Sequence, residues 1–312
     1  MRQAYNSSRY FILASKHFLF LGIFMLAILS GCGRIEQKNV SHEKRASKEN
    51  TPDTTVNKKI AVPADSSINQ KTKTTSMSFK GELKVVYGSA QKAGYKKLEE
   101  AYQKTQFFEK LARLLNQTIA LPRDVAVVPT QCGLVNAFYQ HDKHRIVICH
   151  ELTEDMFKLF KKQGLSNEEA LKKTFQAVAF TFFHESGHMV IHELNLPTTG
   201  KEEDAADQFS TLLLAARGEA GEDAALAAAA WFGLGNKPSP STRQYMNEHS
   251  LDQQRFYSIV CLLYGDEPEK FAELAKKSGL DNTRLKRCRG EYTQVSTSWN
   301  KLLRPYLKKS DL

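Results

Sequence analysis

Across residues 33–77 there is no Phe, Tyr or Trp. Lys, Ser, Thr, Asn and Glu dominate there instead. Such a stretch cannot bury enough apolar area to offset the entropy of ordering, so a packed core is excluded and a disordered tether is expected over 32–78. The first aromatic afterwards is Phe79, where a folded domain spanning 79–312 is expected to begin. The five cysteines include no CxxC pair, which argues against a zinc site built from cysteine alone. Nor does the folded part show the charge excess of a nucleic-acid binder. The net charge is +10, but residues 1–78 hold 12 Lys/Arg against 5 Asp/Glu, and the rest hold 32 against 29. No internal repeat is present.

The N-terminus carries the features of export. Arg2, Arg9 and Lys16 precede the apolar run FLFLGIFMLAIL (18–29), which is short for a membrane span and suits a secretory signal. Leu29, Ser30, Gly31 and Cys32 follow, and this LSGC resembles the bacterial lipobox. The resemblance implies a signal peptide over 1–31, with Cys32 lipidated and the mature chain tethered to a membrane without spanning it. The plainer alternative is a transmembrane anchor with an incidental cysteine. If the cell is Gram-negative, Gly33 is not the Asp that retains lipoproteins at the inner membrane, so the outer membrane facing the periplasm is the expected address. With Cys32 assigned to lipid, Cys132, Cys149, Cys261 and Cys288 remain. An even number in an exported chain suggests two disulfides. Cys132–Cys149 and Cys261–Cys288 would each close a short local loop.

Hydrophobic patterning predicts an α+β fold. A small N-terminal mixed or antiparallel sheet is expected from ELKVVYG (82–88), DVAVVPTQCG (124–133) and a hairpin over 135–152 with the polar tip QHDKH. One helix is expected at 95–119. Helices then dominate, near 152–163, 167–194, 202–218, 222–233, 242–264, 267–277 and 290–308.

The chemistry centres on HESGH (184–188). On a helix, i and i+4 lie one turn apart on one face, so His184 and His188 can turn imidazole nitrogens toward one Zn²⁺. Glu185 stands beside the first of them as general base for a metal-activated water. The flanks AVAFTFF and MVI are almost wholly apolar, so this helix should be buried, and two imidazoles with a carboxylate are costly there unless a partner satisfies them. Ser186 and Gly187 are small, which should leave room over the helix for metal and substrate. A metzincin pattern fails, because Ile191 and Leu194 stand where its Gly and third His belong. His192 is an alternative ligand whose direction drifts off the face.

A catalytic zinc needs a third protein ligand. In GKEEDAADQFS (200–210), Glu203 and Asp207 are spaced i, i+4, and this resembles the ExxxD element of gluzincin peptidases such as thermolysin. The resemblance implies Glu203 as third ligand and Asp207 as the hydrogen-bond partner of His184. A simple antiparallel helix pair turning near Pro197 would instead set Asp207 level with His188. Glu203 then reaches the metal only if the first helix ends early, so Glu202, Asp204 and Asp207 remain alternatives. The plainer alternative is that the acids serve only the helix N-terminus.

NAFY (136–139) resembles the edge strand with which thermolysin-like enzymes pair substrate backbone, implying Asn136 and Ala137 in that role. In NEHSLDQQRFYSIVCLLYG (247–265), His249 and then Tyr257 are candidate donors to a tetrahedral oxyanion. A plain hairpin and a capped helix are the corresponding structural alternatives.

Together CGLVNAFY…IVICHEL, FFHESGHMVIHELNLP, EEDAADQFSTLLL and EHSLDQQRFYSIVCLLYG resemble one bacterial family of uncharacterised domains described as metallopeptidases, over about residues 80–308. The resemblance implies a zincin-like domain acting on peptide or protein substrates. The function expected is a membrane-anchored, extracytoplasmic zinc peptidase. The alternatives are a non-catalytic zinc-bound envelope lipoprotein and an amidase of cell-wall peptide.

Overall fold

The computed structural model describes residues 79–235 and 241–308. The signal segment, Cys32 and the tether lie outside them. Among the described residues no helix is long and apolar enough to cross a membrane.

A four-stranded sheet forms from β1 (Leu83–Val85), β2 (Val125–Thr130), β3 (Ala137–Gln140) and β4 (Arg145–Cys149), in the order β1-β2-β4-β3. The first three in that order are parallel, while β3 folds back antiparallel on β4 as the expected hairpin. Period-two burial in β2 places Val125 and Val127 in the core. Strand β3 is an edge, and its register leaves one row of backbone groups unused by β4.

Helices make up the rest, as an α+β fold requires: α1 (Ala93–Thr105), α2 (Phe107–Thr118), α3 (His150–Lys162), α4 (Asn167–Glu193), α5 (Glu202–Ala215), α6 (Glu219–Gly235), α7 (Thr242–Tyr245), α8 (Asp252–Asp266), α9 (Pro268–Lys277) and α10 (Asn282–Leu303). The single helix expected over 95–119 is two. Gln106 adopts φ +50°, which ends α1 and restarts the chain as α2. The break lets Tyr102, Phe107 and Phe108 pack together, with Phe107 meeting the Phe175 ring at 5.0 Å. The 242–264 helix is also divided, by residues 246–251 between α7 and α8. The last helix starts earlier than expected, at Asn282, because Asp281 caps it by accepting from the Arg284 N–H at 2.7 Å.

Helix α4 is the axis of the domain. It opens on a capping box in which Ser166 and Glu169 satisfy each other's backbone N–H groups. From Ala177 to Gly187 nearly every residue is buried, as a helix apolar on all sides must be. It packs against α3, α5, α6 and the β3–β4 hairpin.

Both expected disulfides are present, Cys132–Cys149 and Cys261–Cys288. The first ties the segment after β2 to the end of β4, and the second ties α8 to α10. With all four sulfurs paired, a zinc site of four cysteines falls away.

One buried group sits uncomfortably in this core. His150, at the start of α3, is fully enclosed, with neither ring nitrogen hydrogen-bonded. Tyr95 and Tyr102 pack around it, and the Glu99 carboxylate stands 4.0 Å away. Burial lowers its pKa from 6.5 to about 4. In that window the unfolded chain binds a proton that the folded chain refuses, so this group makes stability fall as pH falls from 6.5 to 4. His150→Phe should remove the dependence. At pH 4.5 the variant should retain about 2–3 kcal/mol more of its neutral-pH stability than wild type. Denaturant unfolding at pH 7 and pH 4.5 measures it, and equal losses in the two proteins would contradict it.

Candidate metal centre

The local sequence explains how two distant segments meet. Helix α4 ends at Glu193, Asn195 turns the chain at φ +49°, and the Leu196 N–H bonds back to the Ile191 carbonyl at 2.8 Å. Residues 194–201 then return the chain so that α5 lies against α4. Gly187 faces Ala206 across the contact. A Cβ on Gly187 would lie 2.8 Å from the Ala206 Cα, closer than atoms tolerate. Contrary to the expectation, the glycine therefore does not clear space over the helix. It lets α5 approach, and Ser186 is likewise turned inward, donating to the Phe182 carbonyl at 2.7 Å.

This approach carries three carboxylates to the histidine pair. Asp207 Oδ1 lies 2.7 Å from His184 Nδ1, and Glu202 Oε1 lies 2.7 Å from His188 Nδ1. A carboxylate only accepts, so each Nδ1 carries the proton and each Nε2 is turned to the other side. There the two Nε2 atoms are 3.3 Å apart, and Glu203 Oε2 lies 3.1 Å from the first and 3.4 Å from the second. Three electron-rich atoms face one another at these distances, an arrangement that needs a shared cation, whether proton or metal.

Asp207 is level with His184, not with His188 as a tight helical hairpin would place it. The longer connection over 194–201 sets that register. Arg255 of α8 clamps Asp207 from behind, with Nε to Oδ2 and Nη2 to Oδ1 both at 2.7 Å, and its guanidinium carbon stands 3.9 Å over the Phe232 ring. Burial alone would raise the Asp207 pKa, but Arg255 and His184 hold it far below the ordinary carboxylate range. Glu203 is likewise pushed up by burial and pulled well below normal by His184, His188 and His249. Burial would lower the His184 pKa, yet Asp207 and Glu203 raise it to about 9. Glu185 is buried beside the pair; burial raises its pKa, with the imidazoles pulling the other way.

Of the other candidates, Asp204 accepts from Ser250 Oγ at 2.6 Å and does not face the rings. His192 Nε2 reaches the same Glu202 oxygen that faces His188 Nδ1, at 3.0 Å, and so lies off the Nε2 cluster. His249 is at the site, its Nε2 2.9 Å from Glu203 Oε2. Tyr257 is not brought there. It lies two residues after Arg255 on α8, hence on the opposite side, with its hydroxyl against Gly279.

Strand β3 packs along α4, and its tip reaches the helix end, where the Tyr139 hydroxyl donates to Glu193 at 2.6 Å and the His141 ring meets His192 at 4.9 Å. The Asn136 carbonyl accepts from the Cys149 N–H at 3.2 Å. By antiparallel alternation Ala137 and Tyr139 therefore turn their backbone groups outward, while those of Asn136 face β4. The outward pair expected at Asn136 and Ala137 is thus Ala137 and Tyr139. The roles of Arg255 and Glu202 also went unread. The one basic residue of α8, just ahead of its apolar run IVCLLYG, was the available signal for the first.

A histidine pair on one helix, with a carboxylate of the next helix closing on both ring nitrogens, is a candidate metal centre built on the HExxH pattern. The comparison with known families agrees: residues 87–303 match the model of the DUF4344 family, described as "Putative metallopeptidase", and the chain belongs to that family. No curated protein and no solved structure matches the chain.

The Gly187–Ala206 approach can be tested alone. Gly187→Ala should cost about 1–3 kcal/mol of stability through overpacking. It should also weaken metal binding more than Ser186→Ala does, since only the former displaces α5 and Glu203. Chelator competition on both variants measures this, and equal effects would contradict it.

Proposed function

We propose that this chain is a zinc-dependent hydrolase of peptide bonds, held on the outer side of a membrane by lipid on Cys32. The observation that carries the reading is the convergence of His184 Nε2, His188 Nε2 and Glu203 Oε2 with both Nδ1 atoms pinned. A tetrahedral zinc with bonds of about 2.0–2.1 Å separates its ligands by about 3.3–3.4 Å, and the three atoms lie 3.1, 3.3 and 3.4 Å apart. The residues therefore fit zinc. His184, His188 and Glu203 would hold it, Asp207 would fix the His184 ring, and Glu202 the His188 ring.

Zinc, when bound, supplies Lewis-acid polarisation of a scissile carbonyl and lowers the pKa of a water it holds. The protein's own groups do the rest. Glu185 accepts a proton on its carboxylate and passes it to the leaving amine. The free edge of β3 pairs an extended peptide through the N–H and C=O groups of Ala137 and Tyr139, an interaction with little regard to side-chain identity. His249 stands within reach of a developing oxyanion. Two disulfides support an oxidising compartment, in keeping with the LSGC motif and an envelope location.

Glu185→Gln tests the catalytic part. Metal should remain at one equivalent while hydrolysis of peptide substrates falls about 10²–10⁴-fold, the range for loss of a general base. Unchanged hydrolysis would remove Glu185 from catalysis. Intact metal, with no hydrolysis of protein, peptide or purified peptidoglycan by wild type, would favour a non-catalytic envelope module instead.

A further inference from the structure

The segment 246–251 places His249 over the exposed side of the histidine pair. Its ring lies within 18° of parallel to that of His184, with centroids 6.2 Å apart. Its Nε2 reaches the same Glu203 oxygen that faces His184 and His188, at 2.9 Å. Asn247 Oδ1 lies 3.1 Å from the His249 backbone nitrogen and 3.2 Å from its Nδ1. A backbone N–H can only donate, so the Asn247 atom is an acceptor and Nδ1 carries the ring proton. Glu203 Oε2 also only accepts, so His249 has an acceptor at each ring nitrogen, and its Nε2 shares with the other two Nε2 atoms the need for a common cation there. One ligand atom from each of His184, Glu203 and His249 lies within 4.8 Å of the other two, a grouping that can hold a metal ion.

The segment carrying this ring is fastened beside the site. Ser250 Oγ donates to Asp204 Oδ1 at 2.6 Å, and Asp204 is the immediate neighbour of Glu203 on α5. His249 nevertheless differs from the other donors. Its side chain is 44% exposed against 14% for His188, and it belongs to a short connection instead of a buried helix. It is the donor that can leave without unpacking the core.

Resting on the zinc reading above, we propose that His249 is a fourth protein ligand. With His184, His188 and Glu203 it closes the metal at rest, so the enzyme is latent until residues 246–251 withdraw. Structural zinc sites fill all four positions with protein, whereas hydrolytic sites keep one open, and here a single exposed loop decides between the two. One imidazole nitrogen cannot ligate and donate a hydrogen bond at once. The oxyanion role of His249 therefore belongs to the withdrawn state.

The test uses the full chain, as wild type, His249→Ala, Ser250→Ala and His188→Ala. Zinc affinity is read by competition with a chromogenic chelator, and coordination by the visible absorption of the Co²⁺-substituted protein titrated with azide. His249→Ala should bind zinc about 10–100-fold more weakly, in the range for loss of a supporting contact or more. Its Co²⁺ spectrum should change with azide at concentrations that leave wild type unaltered, and Ser250→Ala should fall between them. Equal zinc affinity and equal azide response in wild type and His249→Ala overturn the fourth ligand. If His188→Ala alone loses metal in that case, the three-ligand reading still stands. A wild-type chain that binds no stoichiometric zinc overturns both.

Discussion

Asp207 is a buried carboxylate held between the Arg255 guanidinium, a permanent cation, and the His184 ring. An unpaired charge in that position would cost several kcal/mol, so the three groups are tied to one another. Because they come from α5, α8 and α4, their pairing fixes three helices at once. It also decides which nitrogen of His184 bears the proton, and hence that Nε2 faces Glu203. The Arg255 guanidinium lies over the Phe232 ring of α6, extending the same constraint to a fourth helix.

That pairing is possible only because α5 comes close to α4. Gly187 within HESGH accepts the Ala206 backbone where any side chain would collide. The residue that looked like clearance above a metal is therefore a packing residue beneath it. The same approach brings Glu202 to the second histidine, so both histidine rings are oriented by carboxylates of the first turns of α5. At the C-terminal end of α4, Tyr139 and His144 of the β3–β4 hairpin, together with Arg123 from the segment before β2, anchor on Glu193, which sets the free strand edge along α4.

Much of this could be read in the chain. The α+β order, the hairpin around QHDKH, the long apolar helix of HESGH and the two local cysteine pairs all follow from short-range patterns. These patterns are local, and the structure keeps them. Long-range features were less legible. The i, i+4 acids could be recognised, but the register that sets Asp207 against His184 depends on where α4 ends and on the path of 194–201. Tyr257 lay in the right segment yet points away, since its direction depends on the phase of α8, which Arg255 sets. The break at Gln106 left no glycine or proline as a mark, because aromatic packing of Tyr102, Phe107 and Phe108 accompanies it.

The central claim is that three side chains, His184, His188 and Glu203, are arranged to hold one metal ion. Metal analysis of the purified chain, beside a His188→Ala variant shown by circular dichroism to be folded, tests it most directly. The account predicts about one equivalent of zinc in wild type and a small fraction of that in the variant. Wild-type protein that remains folded without metal after zinc loading, or a variant that retains a full equivalent, would contradict it.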